Sequence, residues 1–218
     1  MTFSLIGRCS RTGQFGAVAV SAAIAVGART THCAAGVGAV ITQHRTDPRL
    51  GPRGLELLRA GHSAQQTIDA LVAATPHIRW RQIAALDAAG TAAFYSGDRT
   101  RPEMSEVAAQ DACAVGNNLA NARATPAMLL AFQADPTAPL AERLVCAAEA
   151  GLAAGSEHAP VRSAHLLVTH QHSFPLIDLR VDWHDAPVTE LRALWTRYAP
   201  QVNDFVTRAI DPDNAPPR

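Results

Sequence analysis

Lysine is missing from this chain of 218 residues, and all nineteen of its basic side chains are arginine. Schiff-base, pyridoxal-phosphate and P-loop chemistry need a lysine amine, so all three are excluded. An excess of charge is missing too. Nineteen arginines balance nineteen acidic residues, which removes the electrostatic case for a nucleic acid or an anionic membrane as partner. No apolar run is long enough to span a bilayer, and no basic segment precedes the first strand-like run, so no signal peptide is read and the expected location is cytoplasmic. The four cysteines, Cys9, Cys33, Cys113 and Cys146, are far apart with no C-x-x-C pair. That spacing fits neither a zinc ribbon nor a thioredoxin-type site, and they are read as small buried hydrophobes. No cofactor motif is present, and no cofactor is expected.

What is there suits one sizeable domain with a full core, read as residues 1–200, followed at 201–218 by a helix end and a Pro-rich tail. Thr2-Phe3-Ser4-Leu5-Ile6 and Phe15-Gly16-Ala17-Val18-Ala19-Val20 are apolar, strand-like runs around the polar turn Ser10-Arg11-Thr12-Gly13, which predicts a β-hairpin. A third strand is expected at residues 36–43. The polar stretch 44–54, with four charged groups and two prolines, reads as a loop. Leu55, Leu57 and Leu58 mark a helix ending at Ala60-Gly61, and Ser63 caps another that stops at Thr75-Pro76. A second hairpin pairs residues 81–87 with 91–96, and a long polar stretch leads to a strand at 112–115 closed by the turn-like Gly116-Asn117-Asn118. Helices are read at 126–134, 140–154 and 188–198, and strands at 163–169 and 176–181. Residues 211–218 are expected to lack fixed structure. Strand blocks alternating with helix pairs suit an α+β layered sandwich, with helices covering two stacked antiparallel sheets.

Thr2 is where chemistry enters. Removal of Met1 would leave a hydroxyl and a free α-amine on one residue. That amine has a pKa of about 7.7 to 8.0, so a large neutral fraction is ready to accept the hydroxyl proton near pH 7. Nucleophile and base would then share one residue, the arrangement of the N-terminal-nucleophile hydrolases. The plainer reading is a β-branched residue opening a strand.

Further residues carry a family resemblance. The Thr2-Phe3-Ser4-Leu5-Ile6 start, Thr12-Gly13-Gln14-Phe15-Gly16-Ala17-Val18-Ala19-Val20, Ala25-Val26-Gly27, the third strand and Gly51-Pro52-Arg53-Gly54-Leu55-Glu56-Leu57-Leu58-Arg59-Ala60-Gly61 are one part of it. Leu140-Ala141-Glu142-Arg143-Leu144, Glu149-Ala150-Gly151, Ser163 and Asp178-Leu179-Arg180-Val181-Asp182 continue it in the same order. Together they resemble the bacterial and archaeal domain of unknown function 1028 family over residues 2–198. The resemblance implies a four-layer αββα sandwich of the N-terminal-nucleophile hydrolase type, with Thr2 at the nucleophile's position. The chain departs from the family pattern at Arg101-Pro102-Glu103-Met104-Ser105-Glu106 and at Gly155-Ser156-Glu157-His158-Ala159-Pro160.

On that fold Thr2 is the expected nucleophile of an amidohydrolase acting on a small-molecule amide or short peptide. Ser21 and Asn117 are candidates for holding the oxyanion or the amine, and Ser163 or Glu157 for completing the constellation. Gln43, Arg53 and Arg180 are candidates for binding a substrate carboxylate, arginine in bidentate fashion. Arg180 has a structural alternative as the ion-pair partner of Asp178 or Asp182. Two other functions compete: a binding or assembly module that keeps the fold without the chemistry, and a metal-dependent hydrolase built on His165, His170, His172 and His184. The latter lacks an H-E-x-x-H motif, and no metal site is expected. By analogy with the fold, a homo-oligomer is expected.

Overall fold

The structure is a computed structural model that describes residues 2–155 and 158–217. Its strands are β1 (Thr2–Arg8), β2 (Phe15–Ser21), β3 (Thr31–Ala34), β4 (Gly38–His44), β5 (Arg81–Asp87), β6 (Ala92–Ser96), β7 (Ser105–Ala109), β8 (Ala112–Asn117), β9 (Ser163–Thr169) and β10 (Ile177–Val181). The helices are α1 (Leu50–Arg59), α2 (Ala64–Ala74), α3 (Ala124–Gln133), α4 (Leu140–Ala153), α5 (Pro187–Tyr198) and α6 (Val202–Ile210). Every strand pair is antiparallel. One sheet has six strands in the order β10-β9-β2-β1-β8-β7 and the other has four in the order β3-β4-β5-β6.

Alternation along the strands explains the layering, since successive side chains face opposite sides. Phe3, Leu5, Val18, Val20 and Leu166 turn outward and pack under α3, α4 and α5. Val40, Ile83 and Ala85 of the other sheet turn outward against α1 and α2. Ile6, Phe15, Ala17, Ile41, Ala84, Leu86 and Val115 face inward and join the two sheets. The result is the four-layer αββα sandwich. Helix α5 is tied to α4 by Arg192, which forks to Glu142 and Glu149 at 2.6–2.8 Å while Trp195 Nε1 donates to Glu142. No helix among the described residues is long and apolar enough to cross a membrane.

The inner layer changes character along its length. Ile6, Val115, Ala84 and Ile41 sit mid-sheet, but one or two residues further toward the start of β1 the same inward positions are Thr2, Ser4, Ser21, Gln43, Gln82, Asn117 and Ser163, all buried. Period-2 patterning thus delivers an apolar half and a polar half to one interface.

Several boundaries differ from the sequence reading. Gly116 and Asn117 remain in β8 and pair with Phe3 and Thr2, because cross-strand pairing with β1 outweighs their turn preference; the turn begins at Asn118. Strands β3 and β7 lie where loops are expected. Helix α1 starts at Leu50, with Pro52 tolerated in its first turn. Ser63 caps α2 through a capping box with Gln66. Residues 202–210 form α6, and Pro212–Asn214 adds a 3-10 turn in the Pro-rich tail.

Candidate functional site

At the polar end, β1 begins between β2 and β8, so register alone places Thr2 opposite Ser21 on one side and Asn117 on the other. Thr2 Oγ1 lies 3.2 Å from Ser21 Oγ, and both residues are buried. Ser21 Oγ also accepts from the Ala23 N–H at 3.1 Å, and Ser21 is opposite Ser163 on β9. Ser163 Oγ donates to Ala23 O at 2.6 Å and accepts from the Val26 N–H at 3.1 Å. Ser163 therefore holds the chain that leaves β2.

Two glutamines from the second sheet complete the cluster. Gln43 Oε1 accepts from Ser4 Oγ at 2.8 Å, and Gln43 Nε2 donates to Gln82 Oε1 at 2.6 Å and to Thr2 O and Val115 O at 3.3 Å. Gln82 Oε1 accepts a second bond from Asn117 Nδ2 at 3.0 Å, and its own Nε2 reaches Gly116 O, Ser96 Oγ and Glu106 Oε1. Ser96 Oγ donates to the same Glu106 oxygen. Among the described residues one atom of this network has no partner: the buried Asn117 Oδ1. A buried acceptor left without a donor is uncommon, and its residue is paired with Thr2 across the two strands.

Beside this network the chain turns outward twice through a strained backbone. His44, directly after Gln43, and Asn118, directly after Asn117, have φ of 68° and 53°. Non-glycine residues rarely adopt this left-handed region, asparagine most readily. With Arg45 and Arg101 these two residues line a cleft of about 280 Å³. The Arg101 N–H points to His44 Nε2 at 3.4 Å, and the Asn118 N–H donates to Arg101 O at 2.9 Å, which draws the segment before β7 over the sheet ends. A neighbouring cleft of about 360 Å³ shares Arg45 and adds His77, Trp80 and Arg81. Burial pushes the His44 imidazole below its ordinary value, the hydrogen bond to Trp80 O opposes this, and the charges of Arg45 and Arg101 add to the lowering, so the neutral form dominates at pH 7.

Thr2, Ser21, Asn117, Gln43 and Ser163 are thus brought to one sheet end. The other predicted residues are not among them. Arg53 lies on α1, exposed, beside Asp47 and Arg49. Arg180 is spent on Asp182 at 3.0 Å. Glu157 lies outside the described residues. His165, His170, His172 and His184 are dispersed onto Asp178, Thr12 O, the Phe174 ring and the Ala186 N–H, and among the described residues no three metal-capable side chains gather. The Cys33 and Cys146 thiols are pushed up by burial and Cys113 to about 12, so none of these three is a thiolate near neutral pH. Gln82, Ser96 and Arg81 are the residues that sequence reasoning missed; Arg45 lies in the polar stretch 44–54, and Arg101 and Glu106 in the segment that departs from the family pattern, but the sequence marks none of the three as a site residue. Only Gln82 left a usable signal, as a polar residue in phase with the inward Ala84 and Leu86.

A different chain of hydrogen bonds crosses the sheets two residues along β9. Thr31 Oγ1 is 2.6 Å from His165 Nδ1, and His165 Nε2 is 2.8 Å from Asp178 Oδ1. An ionised carboxylate only accepts, so in the neutral imidazole Nε2–H donates to Asp178 and Nδ1 accepts from the Thr31 hydroxyl. The His165 bond holds the Asp178 carboxyl below its usual range.

Comparison with known proteins adds the following. The sequence profile of a family of unknown function, DUF1028, matches residues 2–191. A crystal structure of a DUF1028 protein from Silicibacter pomeroyi is similar with a TM-score of 0.84 and 27% identity, covering 91% of this chain and 89% of that one. Anbu (ancestral beta-subunit) from Yersinia bercovieri superposes with a TM-score of 0.39 at 10% identity, over 92% of this chain and 96% of that chain. No curated protein matches the sequence.

Proposed function

The chain belongs to the DUF1028 family, and from that premise we propose that it is an amidohydrolase whose nucleophile is Thr2, exposed by cleavage of the Met1–Thr2 bond. The observation that carries this reading is the placement of Thr2. Its hydroxyl meets Ser21 on one neighbouring strand, and an unpartnered buried acceptor, Asn117 Oδ1, stands on the other.

Cleavage before Thr2 turns its backbone nitrogen into an α-amine carrying donors that Asn117 Oδ1 can accept. Thr2 Oγ1 then attacks the carbonyl carbon of the bound amide while the α-amine takes the hydroxyl proton and passes it to the leaving nitrogen. The C–N bond breaks and the acyl group remains on Oγ1 as an ester. Water, deprotonated by the same amine, attacks that ester, releases the acid and restores the Thr2 hydroxyl. Ser21 Oγ, 3.2 Å from Thr2 Oγ1, shares a hydrogen bond with the nucleophile and can turn its single O–H to the oxyanion once that forms. Gln43, Gln82, Ser4 and Glu106 are positioning residues that fix the backbone of Thr2 and the amide of Asn117. A small amide is the substrate size that the adjoining clefts accept.

The test is the intact mass of the untagged protein before and after exposure to an electrophilic amide-hydrolase probe. The reading expects a mass without Met1 and one adduct that is lost in Thr2→Ala. A retained Met1 with no adduct would overturn it in favour of a binding module on the same fold.

A further inference from the structure

The two clefts that meet at Arg45 are cationic beyond what the neutral chain suggests. Arg45, Arg81 and Arg101 line them, and among the described residues no carboxylate comes within ion-pairing distance of any of the three. Arg8, Arg49, Arg79, Arg162, Arg180 and Arg192 are all paired. Asp47, whose carboxyl is lowered in part by the Arg81 charge, is forked by Arg49 at 2.7–2.8 Å, and Glu106 accepts from Gln82 and Ser96.

Arg81 carries the sharper sign. Its Nε–H is buried and has no acceptor, so no hydrogen bond among the described residues offsets the burial of that donor. The surroundings are built for a planar anion. The Arg45 guanidinium lies 5.3 Å from the Trp80 ring centroid, and Trp80 stacks on His44. His44, neutral, adds no charge of its own. The strained residues His44 and Asn118 carry this cleft directly off Gln43 and Asn117.

We propose that this double cleft selects an anionic amide, whose carboxylate or phosphate is held by Arg45, Arg81 and Arg101 while its amide carbonyl faces Thr2. The direction of the carbonyl rests on the Thr2 reading; the anion site does not. Guanidinium forks match the two oxygens of a carboxylate or the oxygens of a phosphate, which a neutral amide isostere does not offer.

Calorimetric titration of the full-length Thr2→Ala protein with glutarate, with glutaramide and with inorganic phosphate tests the proposal. Glutarate and glutaramide share a skeleton and differ in charge. At least one of the two anions should bind about tenfold or more tighter than glutaramide, and that preference should fall about tenfold in Arg101→Gln or Arg45→Gln, the loss of one charge-assisted bond. High salt should weaken it. Arg81→Met should act the same way, and the two exposed arginines give the answer if that variant does not fold. Tighter binding of glutarate assigns the site to carboxylates, and tighter binding of phosphate to phosphate esters. Equal binding of glutaramide, no binding of either anion, or unchanged affinity in the folded exposed-arginine variants would overturn the proposal. Because binding is read with Thr2 already removed, a failed mass-adduct experiment leaves this site standing, and a failed titration leaves the nucleophile standing.

Discussion

Two hydrogen-bonded chains bridge the sheets at the same end of the sandwich, and they invite opposite readings. Thr31, His165 and Asp178 carry a hydroxyl, an imidazole and a carboxylate in the order that nucleophilic catalysis uses, at 2.6 and 2.8 Å. The Thr2 network has no imidazole and, apart from Glu106, no charge. Yet Thr31 and His165, 5% and 3% exposed, line none of the clefts described above; Thr2, 7% exposed, lines none either, but its neighbours Gln43 and Asn117 are followed directly by the cleft residues His44 and Asn118. The hydroxyl–imidazole–carboxylate chain ties β3 of the small sheet to β9 and β10 of the large one. The Thr2 network leads through His44 and Asn118 into an open cationic cleft, and it leaves an acceptor unfilled. Access and an unmet bond identify a site better than the residue types do.

The widest separation between the two chains is in probe labelling. Thr2→Ala is expected to abolish the covalent adduct, whereas Thr31→Ala leaves its yield per folded molecule unchanged. An adduct mapped by peptide mass to Thr31 would reverse the assignment. Stability separates them in the other direction. His165→Ala removes a buried ring and strands both of its partners, an expected loss of about 2–5 kcal/mol in denaturant unfolding. Gly27 packs so closely on that ring that a Cβ there would lie 2.5 Å from His165 Cγ. Gly27→Ala should therefore destabilise too, by about 1–3 kcal/mol. If either variant remained fully stable but lost labelling, His165 would belong to the reaction and not to the frame.

Gln82→Leu sharpens the comparison from the side of the site. It strands Asn117 Nδ2 and removes the shortest bond of the Gln43 amide, at an expected cost of about 1–3 kcal/mol. Unlike the His165 variants it should also slow adduct formation in the folded protein, since Asn117 is no longer held against Thr2. Unfolding curves and labelling rates measured on one preparation separate the two effects, and an unchanged rate would reduce Gln82 to core filling.

Much of this frame was legible in the sequence. The apolar, strand-like runs 2–6 and 15–20 around a polar turn announced the central hairpin, and Ser63 announced the start of α2. Thr2, Ser21, Gln43 and Asn117 could be picked because each is a polar residue at the end of an apolar run. What stayed hidden depends on register between distant strands. Nothing local to His165 says that it meets Thr31, and nothing local to Arg101 says that it will lie beside His44. Strands β3 and β7, Thr-His-Cys-Ala and Ser-Glu-Val-Ala-Ala, are four and five residues long, with one β-branched residue each, too little for a local strand signal. They form because an existing edge offers pairing. Arg53 and Arg180 drew attention through charge alone, which marks a solvated face as readily as a site.

The smallest effect concerns Asp178. Its carboxyl is held below the ordinary range first by the hydrogen bond from His165 and also by the charge of Arg180, while burial opposes both. A carboxyl whose pKa is lower folded than unfolded stabilises the fold above its unfolded value of about 3.9, and that contribution disappears as pH falls through the folded value. The side chain is 47% exposed, so solvent screening limits the contribution to below about 1 kcal/mol. Across the acid limb of an unfolding titration, below pH of about 4, wild type should lose this increment while Asp178→Asn, which can still accept from Nε2–H, follows a correspondingly flatter curve. Labelling at Thr2, followed over the same range in the folded fraction, should not separate the two proteins. If the variant shifted the pH profile of labelling instead of the acid limb of stability, the Thr31–His165–Asp178 chain would be coupled to the chemistry after all, and the division between frame and site would fall.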